Sequence, residues 1–108
     1  MRVLLASVLL IGALSAAPRT QTFIGTITDD MCARGGHGQM RMGPTDAECT
    51  TLCVSLHDAR YVLASGTSVY ILSDQRTPEQ FAGQKVAITG VLDSKTSTIK
   101  VDTITRAK

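Results

Sequence analysis

The chain has 108 residues, enough for one small domain, and carries 11 Lys and Arg against 9 Asp and Glu for a net charge of +2. It has no Trp, two Tyr and two Phe, and its positive residues are scattered along the chain rather than clustered. A charge so small and dispersed predicts no nucleic-acid partner and no attraction to an anionic membrane, and four rings are a thin supply for stacking bases or sugars.

Met1 and Arg2 give a short positive start, and Val3 to Leu14 form an apolar run broken only by Ser7 and Gly12. A membrane span needs ~20 residues, so the run reads as the core of a signal peptide. Small residues follow at Ala13, Ser15, Ala16 and Ala17, and Pro18 disfavours a cut directly before it. Cleavage is predicted after Ser15 or Ala16, with residues 1–16 as a cleaved signal peptide. No Cys stands at the end of the run to accept a lipid, Cys32 lying far downstream. The mature protein is therefore expected to be exported, periplasmic or secreted, with no stable membrane anchor. Losing Arg2 with the signal leaves it with a charge of about +1. Residues 17–21 read as a short extension and 22–106 as a single domain, with a loop-helix insertion over 29–58. A mature domain of about ninety residues buries only ~60–65% of its unfolded surface and gains from a staple.

Thr22 to Thr28, rich in β-branched residues, predicts a first strand with Gly25 marking a bend or bulge. Asp29 to Thr45 holds Gly35, Gly36, Gly38, Gly43 and Pro44 and reads as a long loop. Thr45 or Asp46 then caps a helix that runs to about His57, with Glu48 in its first turn. Arg60 to Ala64 and Ser68 to Ser73 predict two strands joined by Ser65-Gly66-Thr67. Thr77 to Gly83 reads as one helical turn, with Thr77 as cap, Pro78 at the first position and Gly83 as stop. Lys85 to Leu92 and Thr98 to Thr105 close the chain as another strand pair, apolar at Val86, Ile88, Ile99, Val101 and Ile104. Five short strands leave open edges unless the sheet curls. The predicted fold is thus mainly β (α+β): a small five-stranded barrel of the oligonucleotide/oligosaccharide-binding (OB) type, with one helix and a short helical turn, and an open α+β sandwich as the alternative.

The chemistry concentrates between Cys32 and His57. Cys49 and Cys53 are four apart on a helix and point the same way, and His57, four further on, lies nearly in line. Cys32 and His37 are five apart with Gly35 and Gly36 between them, flexible enough to converge on one point. Cys32, His37, Cys49 and Cys53 together have the composition of a closed structural zinc site, with His57 as an additional candidate ligand. Met40 and Met42 lie in the same loop, and thioether sulfur is a soft ligand, so the pocket also suits copper as Cu(I). A different account uses the same residues. Three cysteines outside the cytoplasm allow one disulfide, Cys32 with Cys49 or Cys53, closing a loop worth ~3 kcal/mol. The odd thiol is then left over, either free or joining two chains in a homodimer. In that account His57 answers the helix dipole, His37 is a solvated loop residue, and Met40 and Met42 fill gaps or stand exposed.

Asp29 and Asp30 are neighbours in an extended segment and face opposite ways, so turn formation or capping is expected of them rather than acid/base work. Cys53 with His57 offers a thiol and an imidazole but no orienting third group or oxyanion hole, which argues against hydrolysis. The glycines at 35, 36 and 38 lack the Lys-Ser/Thr ending of a phosphate loop. What remains for catalysis is thiol redox chemistry through a free cysteine near a histidine, the alternative to a binding or structural module of unknown ligand.

One resemblance adds to this. Gly25-Thr26-Ile27-Thr28-Asp29, Met31-Cys32 with a His in the loop, Glu48-Cys49 with Cys53, Tyr61-Val62-Leu63, Gly66 with Val69-Tyr70, and Gly83-Gln84-Lys85-Val86 with Gly90 resemble a family of small exported bacterial proteins of unknown function. Similar members tend to carry Gly after the first Cys, where this chain has Ala33 and a spacer of Ala33 to Gly36 before His37. The resemblance implies a barrel-like exported domain and supplies no activity.

Overall fold

Short runs of β-branched and apolar residues, interrupted by turn-forming glycines, build a sheet that closes on itself. The computed structural model describes residues 19–35 and 41–108; the predicted signal peptide and residues 17 and 18 lie outside them. Along the chain come β1 (Gln21–Asp29), a short α1 (Cys32–Gly35), α2 (Asp46–His57), β2 (Tyr61–Ser65), β3 (Ser68–Leu72), a 3-10 turn (Thr77–Phe81), β4 (Lys85–Asp93) and β5 (Thr98–Arg106). The strands form a closed barrel in the order β1-β2-β3-β5-β4, antiparallel throughout except for a short parallel pairing of β3 with β5. This is the small mainly-β barrel, with one principal helix and a short helical turn, that the sequence leads one to expect.

β1 closes the ring by serving two neighbours. Its first part, Gln21 to Thr26, pairs with β4, and its last part, Thr26 to Asp29, pairs with β2. The change of partner falls beside Gly25, where a Cβ would run into the Ala64 carbonyl oxygen. Gly25 is thus a point of close approach between strands. The shift in register occurs elsewhere, between Thr89 and Gly90, where a Cβ on Gly90 would strike the Lys100 carbonyl. Both glycines let strands coil more tightly than side chains permit.

Ile27, Tyr61, Leu63, Leu72, Ala82, Val86, Ile88 and Ile99 fill the barrel. Of the apolar positions singled out in β4 and β5, Val86, Ile88 and Ile99 are fully buried, while Val101 and Ile104 pack partly buried against that core. The 3-10 turn is stitched to β1 by Gly83 N–H donating to the Ile27 carbonyl (2.8 Å) and Ile27 N–H to the Gln84 carbonyl (3.0 Å). Its cap differs from expectation. Thr77 begins the turn but supplies no cap; instead the Asp74 carboxylate accepts from the N–H groups of Arg76 (2.9 Å) and Thr77 (3.0 Å). A carboxylate two or three residues upstream accepts from both orphan donors with one oxygen. Gln75 locks the same end of the barrel, its side chain bonding Tyr61 N–H, Tyr61 C=O and Leu72 C=O.

The insertion between β1 and β2 also departs from expectation in one respect. The segment read as continuous loop contains a helical turn, α1, starting at Cys32. The helix α2 matches its prediction, with the Thr45 hydroxyl accepting from Glu48 N–H (3.2 Å). It ends at Asp58, whose left-handed backbone (φ 54°) turns the chain into β2.

Candidate metal centre

The site begins with a carboxylate. Asp29 ends β1 fully buried, and its Oδ2 accepts from the N–H groups of Met31 (3.1 Å) and Cys32 (3.0 Å), opening α1. This is the capping role the sequence suggests, but with the carboxylate inside the protein. Asp30, next along, anchors the turn to β2: its N–H donates to the Arg60 carbonyl (3.0 Å), and its carboxylate takes Arg60 N–H (3.0 Å) and pairs with the guanidinium (3.3 Å). The chain is thereby held with Cys32 turned inward.

From the other side α2 brings Cys49 and Cys53, one helical turn apart and both fully buried. The Cys32 sulfur lies 3.7 Å from that of Cys49 and 3.9 Å from that of Cys53, and all three sulfurs lie within 4.8 Å of one another. No disulfide joins any two of them. A tetrahedral ion with metal–sulfur bonds of ~2.3 Å spaces its sulfurs ~3.8 Å apart, so the thiols stand at ligand spacing and far from the ~2.05 Å of a disulfide. Three cysteines this close have the geometry to bind a metal.

Met42 completes the sulfur cluster. Its Sδ is 3.9 Å from the Cys53 sulfur, and its N–H donates to the Cys49 sulfur at 3.3 Å. With Met31, Val54 and Ala59 it forms the thin apolar surround of the three thiols. The other ligand candidates fare differently. His37 and Met40 fall within residues 36–40, outside the described residues. His57 is exposed in the last turn of α2 and stands apart from the thiol group, in the position where an imidazole answers the helix dipole. Four-residue spacing along a straight helix carries His57 past the point where Cys32 meets the other two thiols, so being in line on the helix does not bring it into the cluster.

Electrostatics disfavour the thiolate form of Cys32 and Cys53 when nothing else holds them. Burial first, and then the adjacent Asp29 carboxylate, push the Cys32 thiol far above its usual range. Burial and Asp29 also raise Cys53, although its neighbour Cys32 offsets part of this. Three buried side-chain oxygens lack a hydrogen-bond partner among the described residues: Asp29 Oδ1, Thr28 Oγ1 and Thr50 Oγ1. All three belong to the end of β1 or to the buried face of α2, the elements that deliver the thiols. Asp29 as a buried neighbour of the cluster is the part that reading the sequence missed. Its signal was the Asp-x-x-Cys spacing, which marks a capped turn without revealing where the free oxygen goes.

Away from the thiols, an open groove of about 750 Å³ lies at the turn between β4 and β5, lined by Ile71 and Leu92 together with Arg60, Asp93, Lys95 and Lys100. A hollow of about 250 Å³ shares Arg60 and Ile71 with it and reaches Arg34 on α1.

Residues 54–107 match a family described as "Protein of unknown function (DUF5818)". That is half the chain, and the chain belongs to this family. The match begins one residue beyond Cys53, so it spans β2 to β5 and leaves β1 and all three cysteines outside. No curated protein and no solved structure matches the chain.

Proposed function

We propose that this member of the DUF5818 family is an exported binding module in which Cys32, Cys49 and Cys53 hold one transition-metal ion, zinc or copper, as thiolates at the end of the barrel. The observation that carries this reading is the meeting of three buried sulfurs within 4.8 Å with no disulfide among them. A stapling disulfide would use two of the three and bury the third beside it, whereas a metal uses all three. Export, read from the Met1 to Ala17 pattern, makes a metal more valuable, because thiols at 3.7 Å in an oxidising compartment are kept reduced by being ligated. The thiol-redox alternative asks for an accessible sulfur with a lowered pKa. Here burial and Asp29 act on Cys32 and Cys53 in the opposite direction.

The test is intact-mass analysis of the protein isolated from its own compartment, native and denatured, with alkylation before and after reduction. A native mass heavier by one metal ion, three alkylatable thiols after denaturation in chelator, and an N-terminus beginning after Ser15 or Ala16 are expected. A mass short by the two hydrogens of a disulfide, with a single alkylatable thiol and no metal, would replace the metal site by a staple.

A further inference from the structure

We infer that the site takes Cu(I) in preference to Zn(II), with the Met42 thioether as a neutral fourth sulfur beside the three cysteine thiolates. This rests on the metal-binding reading above and specifies its ion. Among the described residues, no His, Asp or Glu joins the three thiols in a group of ligand spacing. Among the described residues a fourth sulfur, the Met42 Sδ, lies 3.9 Å from the Cys53 sulfur. With the three thiols it makes a set of four sulfur donors.

Softness decides between ions that share these thiols. Zinc accepts thiolates but fills its fourth position with imidazole, thiolate, carboxylate or water, and gains little from a thioether. Cu(I) is softer and takes thiolate and thioether sulfur alike. Spacing does not separate them, since a Cys32 sulfur 3.7 Å from that of Cys49 and 3.9 Å from that of Cys53, with all three within 4.8 Å, fits a tetrahedral or a trigonal ion. Charge adds a constraint on the fourth ligand. Three thiolates and the buried Asp29 already bring negative charge into a site that is almost closed to water. A fourth ligand that adds none is favoured, and a thioether adds none. Met42 is also fixed at both ends, its N–H bonded to the Cys49 sulfur and its Sδ beside Cys53, so little ordering is needed to engage it. On binding, three S–H protons leave to solvent as three metal–sulfur bonds form, and the ion keeps its oxidation state.

The experiment uses the reduced full-length mature protein under anaerobic conditions. Cu(I) is titrated against a colorimetric Cu(I) chelator and Zn(II) against a zinc chelator, for the wild type, Met42→Leu and His37→Ala. Leucine conserves volume and apolar character, so the helix and barrel are expected to fold unchanged, which circular dichroism verifies. The expected result is Cu(I) displacing bound Zn(II), an affinity for Cu(I) at least tenfold lower in Met42→Leu, and an unchanged affinity for Zn(II) in that variant. X-ray absorption of the copper form should show a sulfur-only shell that loses one scatterer in Met42→Leu. Zn(II) retained against Cu(I), or a Cu(I) loss in His37→Ala with none in Met42→Leu, would overturn this inference and leave a metal site standing. Failure to bind either ion would remove both.

Discussion

The barrel and the insertion that caps it are stabilised in different ways. The barrel encloses Ile27, Leu63, Leu72, Ile88 and Ile99, each completely or almost completely buried and each worth ~1.5–3 kcal/mol for its burial. The insertion encloses three thiols, Ala59 and a few half-buried neighbours. Its helix α2 fully buries Cys49, Thr50 and Cys53, leaves Leu56 64% exposed, and packs only the partly buried Ala47 and Val54 against the barrel core, a thin aliphatic hold. The unsatisfied buried oxygens among the described residues lie where the two regions meet, on Thr28 and Asp29 at the end of β1 and on Thr50 of α2. One region folds on apolar area. The other is arranged around three thiols where, on the proposed function, bonds from sulfur to a metal ion would supply the missing stabilisation.

The sharpest way to test that contrast is to remove the ion. Chelation, or the Cys49→Ser/Cys53→Ser pair, should abolish metal binding, on a scale where structural metals contribute ~10 kcal/mol or more to the folding of small modules. Amide exchange should then rise throughout α1 and α2 while β4 and β5 stay protected. Equal loss of protection in both regions would erase the distinction. The converse variant, Leu63→Ala, should cost about 2–5 kcal/mol in denaturant unfolding and leave metal stoichiometry unchanged. Asp29→Ala falls between the regions. It strips the acceptor from the Met31 and Cys32 N–H groups, and a loss of about 1–3 kcal/mol with weaker metal retention is expected. The smallest effect belongs to Asp74, at the barrel end. The Thr77 hydroxyl, and then the N–H groups of Arg76 and Thr77, hold its carboxyl below the ordinary range. A depressed carboxyl contributes stability above its unfolded pKa of ~3.9, and that contribution disappears as pH falls through the lower folded value. Asp74→Ala should therefore cost about 0.5–1 kcal/mol at neutral pH, and the cost should shrink as pH falls below the ordinary carboxylate range, as read from urea midpoints.

The same division separates what was legible in the sequence from what was not. Strand-forming runs with Gly66, Pro78 and Gly83 as punctuation mark all five strands and the 3-10 turn, because local pattern and barrel burial ask for the same residues there. The α2 boundaries follow from Thr45 and the Cys49–Cys53 spacing for the same reason. The insertion obeys longer-range rules. That Cys32 meets both helical cysteines depends on Asp29 folding the chain back, and that His57 does not join them depends on where α1 docks. Neither is written in spacing alone. At Gly25, where the sequence predicts a bend or bulge, the strand keeps its register and changes partner, because a glycine inside a strand signals close approach as readily as an extra residue and the approaching partner, Ala64, lies far along the chain.

The double pairing of β1 has a consequence in time as well as in space. Gln21 must find Gly90 before the ring can shut, whereas the three cysteines span only positions 32 to 53. Closing a loop of about seventy residues is intrinsically slower than gathering one of about twenty. As the chain emerges, the sulfurs can meet while β4 is still unmade. An ion captured at that stage would tether the end of β1 next to the start of β2 and shorten the search left to the last strand pair. Refolding of the barrel should then be faster with the ion present from the start than with the ion added after the ring has closed.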